Sequence, residues 1–107
     1  MYEIIYLPAA RQDITDIILY ISDRLKAPKA AMALLDALDH SISLLSDFPY
    51  AHKLYRPVRS LQNDYRMLPV ENYAVFYVVQ EQKKIVEIHR VIYAKMDLMK
   101  LIESEKG

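Results

Sequence analysis

The chain has no cysteine, and its one glycine is the last residue, Gly107. Without cysteine there is no thiolate nucleophile, no Cys-based zinc site and no disulfide framework, which suits a reducing cytoplasm. Without internal glycine neither a P-loop nor a dinucleotide fingerprint can form, because both need a bare backbone close to phosphate. A G-x-S-x-G nucleophile elbow is excluded on the same ground. Turns must instead rely on Asn, Asp and Pro, as in Gln62-Asn63-Asp64 and Glu71-Asn72. No apolar run approaches the roughly 20 residues that span a bilayer. The opening MYEIIYLP has neither a basic n-region nor a cleavage signal, so the expectation is a cytoplasmic protein with no membrane partner.

What is present is enough for one domain: 107 residues can bury a single core without a covalent or metal staple. The net charge is zero but unevenly spread, with four basic against seven acidic residues in 1–52 and ten against seven in 53–107. Lys53, Arg56, Arg59 and Arg66 fall close together, interrupted only by Asp64, and form either a solvated loop or a basic patch that binds an anionic target.

The segment Tyr73 to Tyr93 organises the rest. Tyr73 to Val79 and Ile85 to Tyr93 are rich in β-branched and aromatic residues, and the polar run 80–84 between them is of hairpin length. Tyr73, Val75, Tyr77 and Val79 share one face; Ala74, Phe76 and Val78 share the other. Both faces are apolar, so both strands should be central, and each face needs a cover. Upstream, Tyr2 to Leu7 reads as a strand stopped by Pro8. A helix follows from about Ala9 to Leu25, its stripe being Ala10, Ile14, Ile17, Ile18, Ile21 and Leu25. A second helix, from about Lys29 to Asp47, repeats the pattern with Ala31, Leu34, Leu35, Leu38, Ile42 and Leu45, and the short link makes the two an antiparallel αα-hairpin. Tyr65 to Val70 is a strand that Pro69 restricts to an edge, and Lys95 to Glu103 a short terminal helix. The fold class is α+β: N-terminal strand, αα-hairpin, three-stranded antiparallel meander and C-terminal helix.

The chemistry-bearing residues are sparse. His40, His52 and His89 are isolated and lack metal-ligand spacing, so no metal or cofactor is expected. Asp13 with Asp16, and Asp36 with Asp39, read as solvated helix surface. Leu19 and Tyr20 lie off the first helix's stripe, either as ordinary surface or as a partner contact. Arg90 stands inside an apolar strand, where a charge requires a partner or water. It either pairs with a carboxylate such as Asp97 or Glu87, or joins Arg66 and the loop arginines in binding phosphate, with Tyr93 as proton donor or base-stacking ring.

The opening strand followed by LPAARQDITDIILYI, the Phe-Pro closing the second helix, the block DYRMLPVENYAVFYVV and the ending VEIHRVIYAKMDLMKLI together resemble the RelE/ParE superfamily of bacterial type II toxin–antitoxin toxins. The resemblance covers nearly the whole chain. Arg90, Val91 and Tyr93 match the family's ending, of which Lys95-Met96-Asp97 retains only part. It implies an α-hairpin packed on a small sheet, and a cognate antitoxin that wraps the toxin, for which Leu19 and Tyr20 are the contact candidates. RelE-like members cut mRNA on the ribosome with several basic residues and a side-chain acid or base, which would make Arg66, Arg90 and Tyr93 catalytic here. ParE-like members poison DNA gyrase. RNase-type members often carry arginine just after the aromatic that starts the third strand; this chain has Ala74 there, which places gyrase slightly ahead of mRNA cleavage. A non-toxic interaction module is the third alternative.

Overall fold

The structure, a computed structural model, describes residues 1–55 and 64–95. The expected terminal helix, together with Arg56, Arg59 and Asp97, lies outside the described residues. The elements are β1 (Glu3–Tyr6), α1 (Pro8–Leu19), a π turn (Tyr20–Arg24), α2 (Pro28–Ser43), a 3-10 turn (Leu44–Ser46), β2 (Arg66–Val70), β3 (Tyr73–Gln80) and β4 (Ile85–Tyr93). Among the described residues, no helix is long and apolar enough to cross a membrane.

The sheet runs β1-β4-β3-β2, with β1 parallel to β4 and the other two pairings antiparallel. The strands with two apolar faces are the inner two, and Pro69 sits on the edge strand, where its missing N–H disrupts no inner ladder. Both helices begin with proline at the first turn, Pro8 and Pro28, and neither has a side-chain N-cap. Proline there fixes a helical φ and removes one amide that would have lacked a partner.

The αα-hairpin covers one face of the sheet. Leu34, Leu38, Ile42 and Leu45 from the second helical segment meet Val75, Tyr77, Val86, Ile88 and Val91, with Ile14, Ile17, Ile18 and Ile21 packed alongside. Leu25 departs from the expected stripe and is 55 % exposed. The cause is the π turn: the Leu25 amide bonds to Tyr20 O at 3.0 Å, an i→i+5 step that advances the helix phase and swings Leu25 off the core side. On the second face Ala74, Phe76 and Ile92 are buried against Tyr55, Tyr65 and Met67, and Tyr55 meets Phe76 edge to face at 5.0 Å. That face is therefore closed at these positions by the chain's own side chains.

One buried hydroxyl ties the sheet to the following loop. Tyr77, wholly buried, donates to Pro49 O at 2.9 Å. Removing the hydroxyl in Tyr77→Phe takes the donor from a carbonyl that sits on a buried residue, and a loss of about 1 to 2 kcal/mol is expected. Urea unfolding with an unchanged m-value checks this; stability equal to wild type would show the carbonyl satisfied by other means.

Candidate functional site

Arg90 is held by the fold before any ligand is considered. β1 accompanies β4 only as far as Ile88, whose carbonyl accepts the Leu7 amide at 3.0 Å before Pro8 starts α1. Asp13, in the second turn of α1, takes over at the strand edge that β1 leaves. It accepts the Val91 amide at 2.9 Å and Arg90 Nε and Nη2 at 2.6 and 2.9 Å, a two-pronged contact between carboxylate and guanidinium. A register shift aids the aim: Phe76 pairs with Arg90 and Tyr77 with Ile88, so His89 is an extra residue on β4. Such a bulge bends its strand and redirects the neighbouring side chains. Of the expected partners, Asp97 lies outside the described residues and Glu87 contacts Gln80 and His89, while Asp13 receives the guanidinium; Asp13 is not solvated helix surface, its side chain being 14 % exposed.

The other candidates are dispersed. Arg66 donates from Nη1 to His52 O at 2.7 Å and lies over the Tyr50 ring at 4.8 Å, so it fastens the 49–55 loop to β2. Tyr93 lies against Tyr73, ring centres 5.5 Å apart, and is 37 % exposed. Arg66 is registered with Tyr77 and Tyr93 with Tyr73, four residues away along β3, or about 13 Å. The two do not converge on one phosphate group. Lys53 is exposed, while Arg56 and Arg59 lie outside the described residues. Ala74 is buried opposite Ile92, a position that would leave an arginine's charge in apolar surroundings.

Two polar clusters were hidden from the sequence. Glu87 and His89, two apart on β4, form a chain with Tyr65: His89 Nε2 lies 3.3 Å from Glu87 Oε1, and Nδ1 lies 3.1 Å from the Tyr65 hydroxyl. With the ring proton on Nε2 facing the carboxylate, Nδ1 is the acceptor for Tyr65. The strand period of two was the available signal for Glu87 with His89; nothing local announced Tyr65. At the other end, Glu81 in the β3–β4 turn accepts the hydroxyls of Tyr2 and Tyr50 at 2.5 and 2.6 Å and pairs with Lys84. Lys84, then the two phenols, hold the Glu81 carboxyl down at about 2, while the bond to Glu81 lifts the Tyr50 phenol to about 12.

A groove of about 720 Å³ opens where the π turn, the start of α2, the β2–β3 turn and the end of β4 meet. Tyr20 and Tyr93 both line it, whereas Leu19 is half exposed outside it. Among the described residues, no group of three or more His, Asp or Glu side chains could hold a metal ion.

Comparison with known proteins places this geometry. Residues 4–98 match the family model of the ParE toxin of the type II toxin–antitoxin system, parDE. A sequence comparison with curated proteins yields no match. Among solved structures, a chain of the chromosomal ParDE toxin–antitoxin system of P. aeruginosa is similar with TM-score 0.70 and 18 % identity, covering 89 % of this chain and 98 % of its own. A chain of the RelBE2 toxin–antitoxin complex of Mycobacterium tuberculosis follows at TM-score 0.60 and 20 % identity, covering 86 % and 96 %. The isolated E. coli RelE toxin gives TM-score 0.57 and 15 % identity, covering 99 % and 98 %. At such identities the likeness is one of fold, and site chemistry has to be argued from this chain's residues.

Two outcomes are expected from these contacts. Asp13→Ala removes, in one step, the carboxylate that accepts the Arg90 fork and the Val91 amide, and should cost about 3 to 5 kcal/mol, read as a fall in melting temperature. A change within 0.5 kcal/mol, roughly the scatter of exposed substitutions, would show the pair to be dispensable. For Glu81, the folded pKa lies below the ordinary 4.5, so its contribution is complete above 4.5 and is lost as pH falls toward 2. Tyr50 has the opposite sign: its contribution is complete below 10 and is lost as pH rises through about 12. Because the cluster is exposed, both slopes should shrink in high salt. Melts across pH for wild type and Glu81→Gln check this, the variant being expected to lack the Glu81 part of the acid-side slope; identical acid limbs would contradict it.

Proposed function

The chain belongs to the ParE toxin family of type II toxin–antitoxin systems, and on that footing we propose that it is a growth-inhibiting toxin that poisons DNA gyrase and is neutralised by a cognate antitoxin. The observation that carries the choice of target is the commitment of Arg90 to Asp13. RNA cleavage needs several cations or donors directed at the charge that develops on one phosphate, and losing a single such donor costs on the order of a hundredfold in rate. In this chain Arg90 spends its fork on a helix carboxylate and Arg66 spends a donor on a loop carbonyl. The position where RNase-type relatives often carry arginine is the buried Ala74. A surface that binds and traps a protein target makes no such demand. For the partner, the support is the family itself and two structural relatives that are described as toxin–antitoxin assemblies.

Ribosome-dependent mRNA cleavage is the second reading, and one observation favours it. The Tyr65–His89–Glu87 chain presents a carboxylate-oriented imidazole in reach of a phenol, the elements of a proton relay.

A supercoiling assay with purified toxin and gyrase decides between them. Inhibited supercoiling with accumulated cleavage complexes, both abolished by the antitoxin, is the expected result. Unaltered supercoiling together with specific cuts in mRNA on translating ribosomes would reverse the assignment. Unimpaired growth on induction of the folded protein alone would favour a non-toxic interaction module.

A further inference from the structure

The tip of the αα-hairpin gathers uncommitted cations. Among the described residues, Arg90 holds Asp13, Arg66 holds the His52 carbonyl, Arg11 reaches the Tyr6 carbonyl and Lys84 pairs with Glu81. Arg24, Lys26 and Lys29 are exposed and make no hydrogen bond or ion pair with any described residue. Asp23 is the one acid between positions 20 and 30. Lys53, Lys83 and Lys95 are exposed as well, but each stands on a different segment.

Stability does not account for this gathering. A cation at the end of the first helical segment suits the helix dipole, which covers Arg24. Lys29 stands in the first turn of α2, where the dipole favours an acid; that turn has no acid and no side-chain cap. Lys26 takes a φ of 55°, a conformation that glycine or asparagine adopts at lower cost. The Ala27 amide bonds back across it to Ile21 O at 3.0 Å, so the tip is closed and its cations stand on a fixed backbone. Three like charges also repel one another there. From Arg24 to Lys29 the chain spans at most about 17 Å, a length of duplex that carries about ten phosphates.

We propose that the hairpin tip is a contact surface for the phosphate backbone of duplex DNA, with Arg24, Lys26 and Lys29 each meeting one phosphate. Two of the three are lysines, point charges on flexible stems that suit a dense row of anions and carry no base readout, so the contact is indifferent to sequence. Leu25 is the one large apolar side chain from 24 to 29, too little for the broad apolar face that a lipid surface needs. The source of the duplex, DNA held by gyrase, rests on the gyrase reading. In that setting the tip makes the DNA part of what the toxin recognises.

The test uses the intact toxin and a mixed-sequence DNA duplex. Binding is measured across a salt series for wild type, for the combined Arg24→Gln, Lys26→Gln and Lys29→Gln variant, and for a charge-keeping variant with Lys26→Arg and Lys29→Arg. A melt of each establishes that it is folded. Each phosphate contact adds about 0.9 to the slope of log affinity against log salt, so three should lower the wild-type affinity about 40-fold between about 50 and about 200 mM. The glutamine variant should lose that dependence and bind at least about 30-fold more weakly at the lower salt, while the charge-keeping variant stays within about 3-fold of wild type. Absence of wild-type binding at the lower salt, or wild-type affinity and slope in the folded glutamine variant, overturns the proposal. So does tighter binding to an RNA duplex of the same sequence, or binding to vesicles of anionic phospholipid in place of the duplex. Supercoiling by gyrase is scored separately: charge-dependent duplex binding with supercoiling untouched would count against the gyrase reading, whereas inhibited gyrase with charge-independent duplex binding would count against the tip.

Discussion

The carboxylate of Asp13 is the constraint on which the rest of the arrangement depends. It joins α1 to β4 at the place where β1 has ended and the strand's amide would otherwise face a helix with no acceptor. A partly buried ion pair adds little net stability, because both charges must be stripped of water; its force is that neither partner can be removed alone without several kcal/mol of loss. The pair therefore works as a registration device. It sets the rotation of α1 over the sheet and with it the line along which Ile14, Ile17 and Ile21 meet the core. It also turns the Arg90 fork toward α1, and on that orientation the proposed choice of target rests.

From that fixed start, α1 reaches the π turn and the groove. An α-helical continuation would have returned Leu25 to the core stripe and narrowed the opening. The π turn instead leaves Tyr20 and Leu25 outward, and positive φ at Lys26 and Glu71 adds cost of order 1 to 3 kcal/mol at each position. Such expense is maintained only where surrounding packing over-determines it, and the second helix, with Leu34, Leu38 and Ile42 buried, supplies that packing. Rigid hairpin, costly turn and open groove belong to one design in which stability made in the core is used at its rim.

How legible this was depends on the range of the interaction. The two-sided apolarity of β3 and β4, the stripe of α2 and the edge position of Pro69 are properties of a strand or helix taken by itself, and periodicity reveals them. Sequence offers only proximity as a guide to the partners of Arg90, which points to carboxylates such as Glu87; Asp13 is 77 residues away and looks like any polar helix position. The 3.6 period puts Leu25 on the core stripe because it assumes an unbroken α-helix, which the π turn interrupts. Glycine's absence was readable, but not that Lys26, Glu71 and Lys84 would adopt positive φ in its stead. Tyr20 stood out as an apolar residue off the stripe; that Tyr93 and Glu71 share its groove required the fold.

Under the proposed function, Arg90 serves the fold and not the chemistry of toxicity. The double substitution Asp13→Asn with Arg90→Met tests it most directly, since an amide can still accept the Val91 N–H and both charges of the pair are removed together. Growth inhibition per folded molecule is the quantity to measure. A folded protein that arrests growth as wild type does is the expected result; a protein with an unchanged melt and no toxicity would show that Arg90 acts in the chemistry.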